Sequence, residues 1–292
     1  KSRGEIFGAL DADSFVNPDC LKKMVGYFDK PRIMAVTPSL KIFRPKGILQ
    51  RMQAVEYMIG IYLRKVFGML GSIHVTPGPF TIYRKRFFTK HGGDDENNIT
   101  EDIEIALRIQ SKGYQIENSI DSSVYTVGPN TFRALSSQRK RWYVGFMDNL
   151  LRYKRLFSPS FGNLGVFVLP MSLIFVVMVV IICVNALVTY GVKFQQDFHN
   201  LMAVNFDILS LLNFNFDLFM VRLDTLMIIS LVLISVSLGI VFIAKRFSEE
   251  KSSLALSYVI YMAVYWFIFA YWWIISGACK AARKKVEWGH KV

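Results

Sequence analysis

Residues 5–13 have the sequence Glu-Ile-Phe-Gly-Ala-Leu-Asp-Ala-Asp, a short apolar run that ends in two carboxylates. Such a run is typical of a strand buried in a parallel sheet. Asn17 then precedes a proline and is a candidate N-cap for a helix over residues 18–29. A strand followed by two acids and a helix places Asp11 and Asp13 at the carboxyl end of the sheet, where open α/β sheets bind ligands. This stretch therefore predicts an α/β domain with a ligand site.

The chain around this stretch divides into a basic half and an apolar half. Residues 1–160 contain 25 Lys and Arg against 15 Asp and Glu, whereas residues 161–292 contain 10 against 7. The whole chain is 52% hydrophobic and has a mean hydropathy of +0.32, which is more apolar than an ordinary soluble domain and excludes a disordered one. Its 3 scattered cysteines predict neither a disulfide framework nor a zinc site.

Three charge-free stretches in the apolar half are long enough to cross a bilayer, which takes about 20 residues. They predict transmembrane helices over about 164–190, 225–244 and 254–279. A buried core helix is the alternative for any one of them, but three such lengths favour a membrane bundle. The segment 193–223 contains three aspartates between apolar stretches, so an interfacial or re-entrant segment and a loop are equally compatible with it.

Hydrophobic periodicity and turn residues predict the other elements of the basic half. These are a helix over 48–70, a loop and strand over 74–84, a loop over 91–99, a helix over 101–112, strands over 114–118 and 124–127, and an amphipathic helix over 131–155. Thr100 is a candidate N-cap for the helix over 101–112, and Gly113 ends it. The helix over 48–70 either covers the sheet or lies in the membrane interface.

Two acidic groups in these elements can carry chemistry. Asp11 and Asp13 can hold a hard cation that bridges to substrate phosphates, although an Asp-x-Asp sequence alone is often only a turn. Asp102 lies in the first turn of its helix, where the helix dipole favours the ionised form that a general base requires. Acids are also routine at that position without any catalytic role.

A third group lies in the amphipathic helix over 131–155. Gln138, Arg141 and Trp142 occupy positions i, i+3 and i+4 and share one helix face. An arginine can hold phosphate oxygens through two hydrogen bonds, and a tryptophan offers a flat surface to a sugar ring. Alternatively, a basic helix face near a membrane can bind lipid headgroups.

In this order, Asp11-Ala12-Asp13, Thr100-Glu101-Asp102 and Gln138-x-x-Arg141-Trp142 resemble the signature motifs of processive family-2 glycosyltransferases. That family includes cellulose, chitin, hyaluronan and poly-N-acetylglucosamine synthases, and residues 99–145 with the three tail spans look most like the last of these. The resemblance implies an α/β domain of the GT-A type followed by an α-helical transmembrane bundle with interfacial helices. It also implies a nucleotide-binding segment before the Asp-x-Asp, so the N-terminal part of the GT-A domain is expected to be missing from this chain.

The resemblance divides the chain into three regions. Residues 1–130 are the C-terminal part of the GT-A-like domain, residues 131–160 are an interfacial amphipathic helix region, and residues 161–292 are the transmembrane region. The missing segment would contain the uridine pocket, so the resemblance leaves open whether this stretch alone binds a donor.

The resemblance also implies how a donor would be bound. Asp11 and Asp13 would hold Mg²⁺ or Mn²⁺ together with the diphosphate of a nucleotide sugar. Gln138 and Arg141 would face the same diphosphate.

Other residues are implied in catalysis and acceptor binding. Asp102 would be the base that deprotonates the acceptor hydroxyl, with assistance from Glu101. Trp142 would stack on the terminal acceptor sugar, and Gly78 and Pro79 match the loop that lines the acceptor site.

The implied function is an inverting hexosyltransferase that moves a sugar from UDP-GlcNAc or UDP-Glc to a growing polysaccharide and assists its export. The expected location is the plasma membrane, with a cytoplasmic catalytic domain. Expected partners are a nucleotide sugar, a polysaccharide acceptor, the lipid bilayer and either an accessory membrane subunit or a second copy, but no nucleic acid. The alternatives are a non-processive enzyme that uses a polyprenyl-phosphate acceptor and a non-enzymatic membrane transporter or scaffold.

The side of the membrane that holds the C-terminal tail depends on the number of crossings. Three crossings after a cytoplasmic domain would place residues 280–292 outside, yet the five basic residues of this tail favour the cytoplasm. A fourth crossing over 201–221 would remove the conflict but would place Asp207 and Asp217 in the bilayer. We favour a cytoplasmic tail, with residues 193–223 lying partly in the membrane.

Overall fold

The computed structural model describes residues 3–203, 225–248 and 255–284. Its strands are β1 (Ile6–Leu10), β2 (Ser14–Val16), β3 (Ile33–Ile42), β4 (Phe80–Arg84) and β5 (Gln115–Thr126). They form one mixed sheet in the spatial order β1-β4-β3-β5-β2. The neighbours β3 and β5 are parallel, and the other neighbouring pairs are antiparallel.

The α-helices are distributed over both halves of the chain. They are α1 (Cys20–Val25), α2 (Gly47–Met69), α3 (Lys85–His91), α4 (Glu101–Ser111), α5 (Phe132–Arg152), α6 (Leu169–Ala203), α7 (Thr225–Phe247) and α8 (Ala255–Ala281). The predicted helices over 48–70, 101–112 and 131–155 are confirmed as α2, α4 and α5. Thr131 caps α5 by accepting a hydrogen bond from the backbone N–H of Ala134.

The prediction of a buried parallel strand at the start of the chain is wrong. Within the described residues, β1 lies at an edge of the sheet, pairs only with β4, and pairs with it in antiparallel orientation. Leu10 is 51% exposed. An apolar run of five residues indicates a strand, but its burial depends on what packs against it, which a local pattern does not contain.

Three further predictions need correction. The helix over 18–29 is a short α1 followed by a 3₁₀ turn over Gly26–Asp29, and Asn17 is not its N-cap. The two strands over 114–118 and 124–127 are one strand, β5, interrupted by a shift in register opposite Pro38. No pattern pointed to β3, which contains Pro38 at this irregularity. Proline lacks the N–H that a regular ladder requires and is found at such positions.

Helices cover the sheet on two sides. Cys20, Met24 and Phe28 pack against the β3 side chains of Ile33, Val36 and Leu40 in one apolar cluster. A second cluster joins α3 and α4 to the sheet through Phe87, Ile105, Ala106 and Ile109. Each fully buried side chain of this kind contributes about 1.5–3 kcal/mol of hydrophobic stabilisation. The α/β domain therefore has a core of its own.

Within the described residues, three helices are long and apolar enough to span a membrane: Leu164–Ala203, Met227–Phe247 and Leu256–Ala281. The predicted spans are thus confirmed as helices, but the first continues to Ala203 instead of ending near residue 190. The start of the predicted interfacial segment 193–223 is therefore helical. The rest of that segment, and most of the alternative crossing over 201–221, falls outside the described residues.

Helix α2 joins the two halves of the molecule. Its Arg64 donates a hydrogen bond to the carbonyl of Pro38 in β3, while Met52 and Val55 pack with Tyr258 and other side chains of α8. The sequence left two alternatives for this helix, a cover of the sheet or an interfacial position. In the structure α2 lies between the sheet and the apolar helices, so it contacts both.

Candidate active site

The loop before β4 holds the first aspartate of the Asp-x-Asp motif. Asp11 follows β1, and its backbone N–H donates to the carbonyl of Pro79 at 3.2 Å. Desolvation raises the pKa of Asp11, and the negative charge of Asp13 raises it further. A carboxylate that burial and a neighbouring negative charge make harder to ionise is one that a bound cation would stabilise.

The same loop positions Asp102 at the start of α4. The backbone carbonyl of Asp102 accepts hydrogen bonds from Thr76, at 3.1 Å from its N–H and 2.7 Å from its hydroxyl. The carboxylate accepts the backbone N–H of Ile103 at 2.9 Å and that of Gly78. Desolvation, with a contribution from the charge of Glu101, raises the pKa of Asp102 to about 7. Asp102 is therefore a far better proton acceptor than an ordinary aspartate at neutral pH.

Gly78 lies between the two carboxylates. A Cβ atom at this position would lie 3.9 Å from Oδ2 of Asp11 and 4.0 Å from Oδ2 of Asp102. Three predicted site residues thus lie close together in the structure, although they are far apart in the sequence. They are the metal residue Asp11, Gly78 of the acceptor loop and the base Asp102. A side chain at residue 78 would occupy that space.

The predicted metal residues fit a cation that shares its coordination with a bound phosphate. Among the residues that the structure describes, no group of three or more His, Cys, Asp or Glu gathers to form a complete cage. Asp11 and Asp13 offer hard oxygen ligands, which suit Mg²⁺ and Mn²⁺ when phosphate oxygens supply the remaining ligands.

Helix α5 brings the third motif to the acidic group of α4. Burial lowers the pKa of Arg141, and the negative charge of Glu101 opposes this effect. Oε1 of Gln138 is buried and has no hydrogen-bond partner among the described residues. The Gln138 side chain therefore has capacity for a polar ligand.

Arg64 of α2 was not among the predicted site residues. It is half-buried, its burial lowers its pKa to about 10, and the charge of Asp102 opposes that shift. Its place with Arg51 and Lys65 among the basic residues in the apolar helical spacing of residues 48–70 was the only signal in the sequence.

A compact junction fixes α4 against α5. The buried side chain of Asn149 donates to Oγ1 of Thr100 at 3.0 Å and to Oδ1 of Asn98 at 3.3 Å. A Cβ atom on Gly145 would lie 2.1 Å from Oγ1 of Thr100, so only glycine fits. Thr100 is the N-cap residue of α4, as predicted, but its side chain makes no capping hydrogen bond and is engaged by α5 instead.

Trp142 contacts a residue that the sequence did not single out. The guanidinium carbon of Arg139 lies 4.3 Å from the centroid of the Trp142 ring. Arg139 is also paired with Glu56 of α2, with 2.7 Å between Nη2 and Oε2. The half-buried Trp142 is thus in contact with a buried arginine that is paired with the half-buried Glu56.

Comparison with known proteins identifies the class. Residues 6–276 match the family described as glycosyl transferase family group 2, so the chain belongs to this family. It is a glycosyltransferase with a GT-A-like fold, and the resemblance to family-2 polysaccharide synthases is confirmed.

Two curated relatives of the chain are polysaccharide synthases. The chain is 32% identical over 146 residues to the poly-β-1,6-N-acetyl-D-glucosamine synthase of Staphylococcus aureus strain COL, a match that covers 49% of this chain and 35% of the relative. It is 31% identical over 151 residues to the synthase of the same name from Staphylococcus epidermidis strain RP62A, covering 51% and 36%. These matches span about a third of each relative's length.

One similar solved structure is a mannosyltransferase from Pyrobaculum calidifontis in complex with GDP-Man and Mn²⁺. Its TM-score is 0.42 and its sequence identity 19%, with coverage of 53% of this chain and 40% of that one.

Proposed function

We propose that the full-length protein is a processive, inverting glycosyltransferase of the plasma membrane that extends a polysaccharide from a nucleotide sugar. The observation that carries the proposal is the meeting of Asp11, Gly78 and Asp102, with the pKa of Asp102 raised to about 7. The names of the curated relatives favour UDP-GlcNAc over UDP-Glc as the donor. Cytoplasmic placement of the α/β domain follows because nucleotide sugars are made there.

Asp102 would remove the proton from the acceptor hydroxyl as that oxygen attacks the anomeric carbon of the donor. One C–O bond forms, the bond from the anomeric carbon to the diphosphate breaks, and the proton passes to the carboxylate. The Gly78 and Ile103 N–H groups orient the carboxylate. Glu101 adds negative charge that strengthens this base.

The leaving diphosphate would be held from two sides. Asp11 and Asp13 would hold the divalent cation, Mg²⁺ or Mn²⁺, which neutralises the leaving group when bound. Arg141 and Gln138 of α5 would bind the same diphosphate, and Arg64 would add a further positive charge beside the base. We also predict that the protein associates with an accessory membrane subunit or a second copy. This is a separate prediction, which contacts within one chain do not test.

Substitution of Asp102 by Asn tests the assignment of the base. The Asn side chain keeps the size but cannot accept the proton, so we expect turnover to fall about 10²–10⁴-fold while donor affinity is retained. The measurement is UDP release and donor binding by the full-length protein in membranes. A matched control is Asp29→Asn, which alters an acid of the 3₁₀ turn after α1.

Two outcomes would contradict the proposal. If donor affinity falls as far as the rate, Asp102 has a structural role. If the wild-type enzyme adds one sugar to a polyprenyl phosphate and forms no polymer, the non-processive alternative is correct.

A further inference from the structure

Arg139 is the largest fully buried side chain of the described residues, and the proposed chemistry does not use it. It is 2% exposed, and its Nη2 lies 2.7 Å from Oε2 of Glu56 on α2. Burial opposes its charge, but the negative charge of Glu56, together with smaller electrostatic contributions from neighbouring tyrosines, raises the pKa of Arg139. The side chain is therefore a permanently charged group within an apolar contact of three helices.

The charge lies between two indole rings on different helices. The guanidinium carbon is 4.3 Å from the ring centroid of Trp142 on α5 and 5.9 Å from that of Trp272 on α8. Nε1 of Trp272 donates to Oγ of Ser136 at 2.9 Å, which fixes the second ring against α5. A desolvated guanidinium over an aromatic face is a strong orienting contact.

The contacts of Arg139 restrict the orientation of the Trp142 ring. Arg139 and Trp142 are at positions i and i+3 of α5, so the guanidinium contacts the indole from the same helix face. The partner Glu56 keeps Arg139 from rotating away, because leaving the buried charge of Arg139 unpaired is costly. The orientation of Trp142 is thus determined by α2 and α8 as well as by α5.

We propose that Arg139, held by Glu56, is a positioning residue that sets the orientation of Trp142 for the acceptor sugar and links it to the membrane helix α8. The inference rests on the proposed function, since it takes Trp142 to be the surface on which the acceptor stacks. Arg139 touches neither donor nor acceptor in this role. It determines elongation, and the donor chemistry at Asp102 does not depend on it.

The test compares elongation with donor hydrolysis in the full-length protein in membranes, using UDP-GlcNAc. Arg139→Gln is expected to reduce elongation rate and polymer length about tenfold more than donor hydrolysis, as loss of one desolvated cation–π contact would. Arg139→Lys, which keeps the charge, is expected to restore part of the elongation. Arg133→Gln is the matched control, because Arg133 is an exposed arginine near the start of the same helix.

A second variant separates positioning from misfolding. Arg139→Gln alone leaves the half-buried Glu56 without its partner, so the double variant Glu56→Gln with Arg139→Gln replaces the ion pair by two neutral amides. If this stable double variant elongates normally, or if every Arg139 variant loses elongation and hydrolysis equally, the inference is wrong.

The variant Trp142→Ala distinguishes an error in the role of Arg139 from an error in the proposed function. If Trp142→Ala elongates normally, the acceptor surface is wrongly assigned and the inference falls with it. If Trp142→Ala shortens the polymer and the Arg139 variants do not, the acceptor surface stands and only the role of Arg139 is wrong.

Discussion

Among single residues, Asp102 is one whose ionisation affects both the activity and the stability of the protein. Its carboxylate is desolvated beside Gly78 and Glu101, and its pKa is raised from 3.8 to about 7. A base must be deprotonated to act, so the raised pKa places its working range in the neutral region. Because of the same shift, Asp102 keeps its proton up to about pH 7 in the folded state. In the unfolded state the same carboxyl loses its proton near pH 4.

The pH dependence of activity and stability should therefore run in opposite directions. We expect kcat/KM to rise as pH increases through about 7, and the free energy of unfolding to fall between about pH 4 and pH 7, because the folded state binds this proton more tightly. The measurements are a pH–rate profile and thermal melts of the full-length protein. Asp102→Asn should remove this pH dependence from both the activity and the stability. A wild-type kcat/KM that does not change with pH near 7 would contradict the assignment of Asp102 as the base.

At the scale of elements, the junction of α4 and α5 decides whether the motifs meet. Asp102, the proposed base, lies at the start of α4, whereas Gln138, Arg141 and Trp142 lie on α5. Asn149 and Gly145 hold Thr100, the residue before the acidic pair, against α5. The distance between the two motifs is thus set by one glycine and one buried amide.

Replacement of Gly145 by Ala should displace the base. The added Cβ would lie 2.1 Å from Oγ1 of Thr100, and overpacking of this kind costs about 1–3 kcal/mol. We expect a lower melting temperature and a loss of turnover greater than the loss of folded protein. Gly60→Ala in α2 is the control, because nothing lies within 4 Å of its added Cβ, and it should be neutral or slightly stabilising. Equal behaviour of the two variants would show that the junction does not position Asp102.

At the scale of the whole molecule, α6 and α8 run in opposite directions. The start of α6 packs in one cluster with Phe146 of α5, which contacts Trp273 of α8. Farther along α6, Cys183 Sγ lies 3.5 Å from the carbonyl of Trp266. Lys280, at the end of α8, is paired with Asp148 of α5. The end of α8 therefore lies at the same end of the bundle as α5, next to the α/β domain.

This arrangement supports the tail on the catalytic side of the membrane. In a variant without its native cysteines, Ala282→Cys should react with a membrane-impermeant thiol reagent only after the cells are opened. Lys30→Cys, an exposed position in the α/β domain, should behave in the same way. Labelling of residue 282, but not residue 30, in intact cells would place the tail outside and contradict the packing of α8 on α5.

The sequence by itself determined the membrane helices, the main helices of the α/β domain and the three motifs, because each depends on local composition or spacing. Only the tertiary structure decided the edge position of β1, the existence of β3 as a continuous strand, and the continuation of α6 to residue 203. It alone revealed Arg64, Glu56 and Arg139, whose surroundings come from segments distant in the chain. The tertiary structure also decided that Asp11, Gly78 and Asp102 lie close together, because they come from segments distant in the chain. The raised pKa of Asp102 follows from this packing, since the pKa of a carboxylate depends on the atoms that surround it in space.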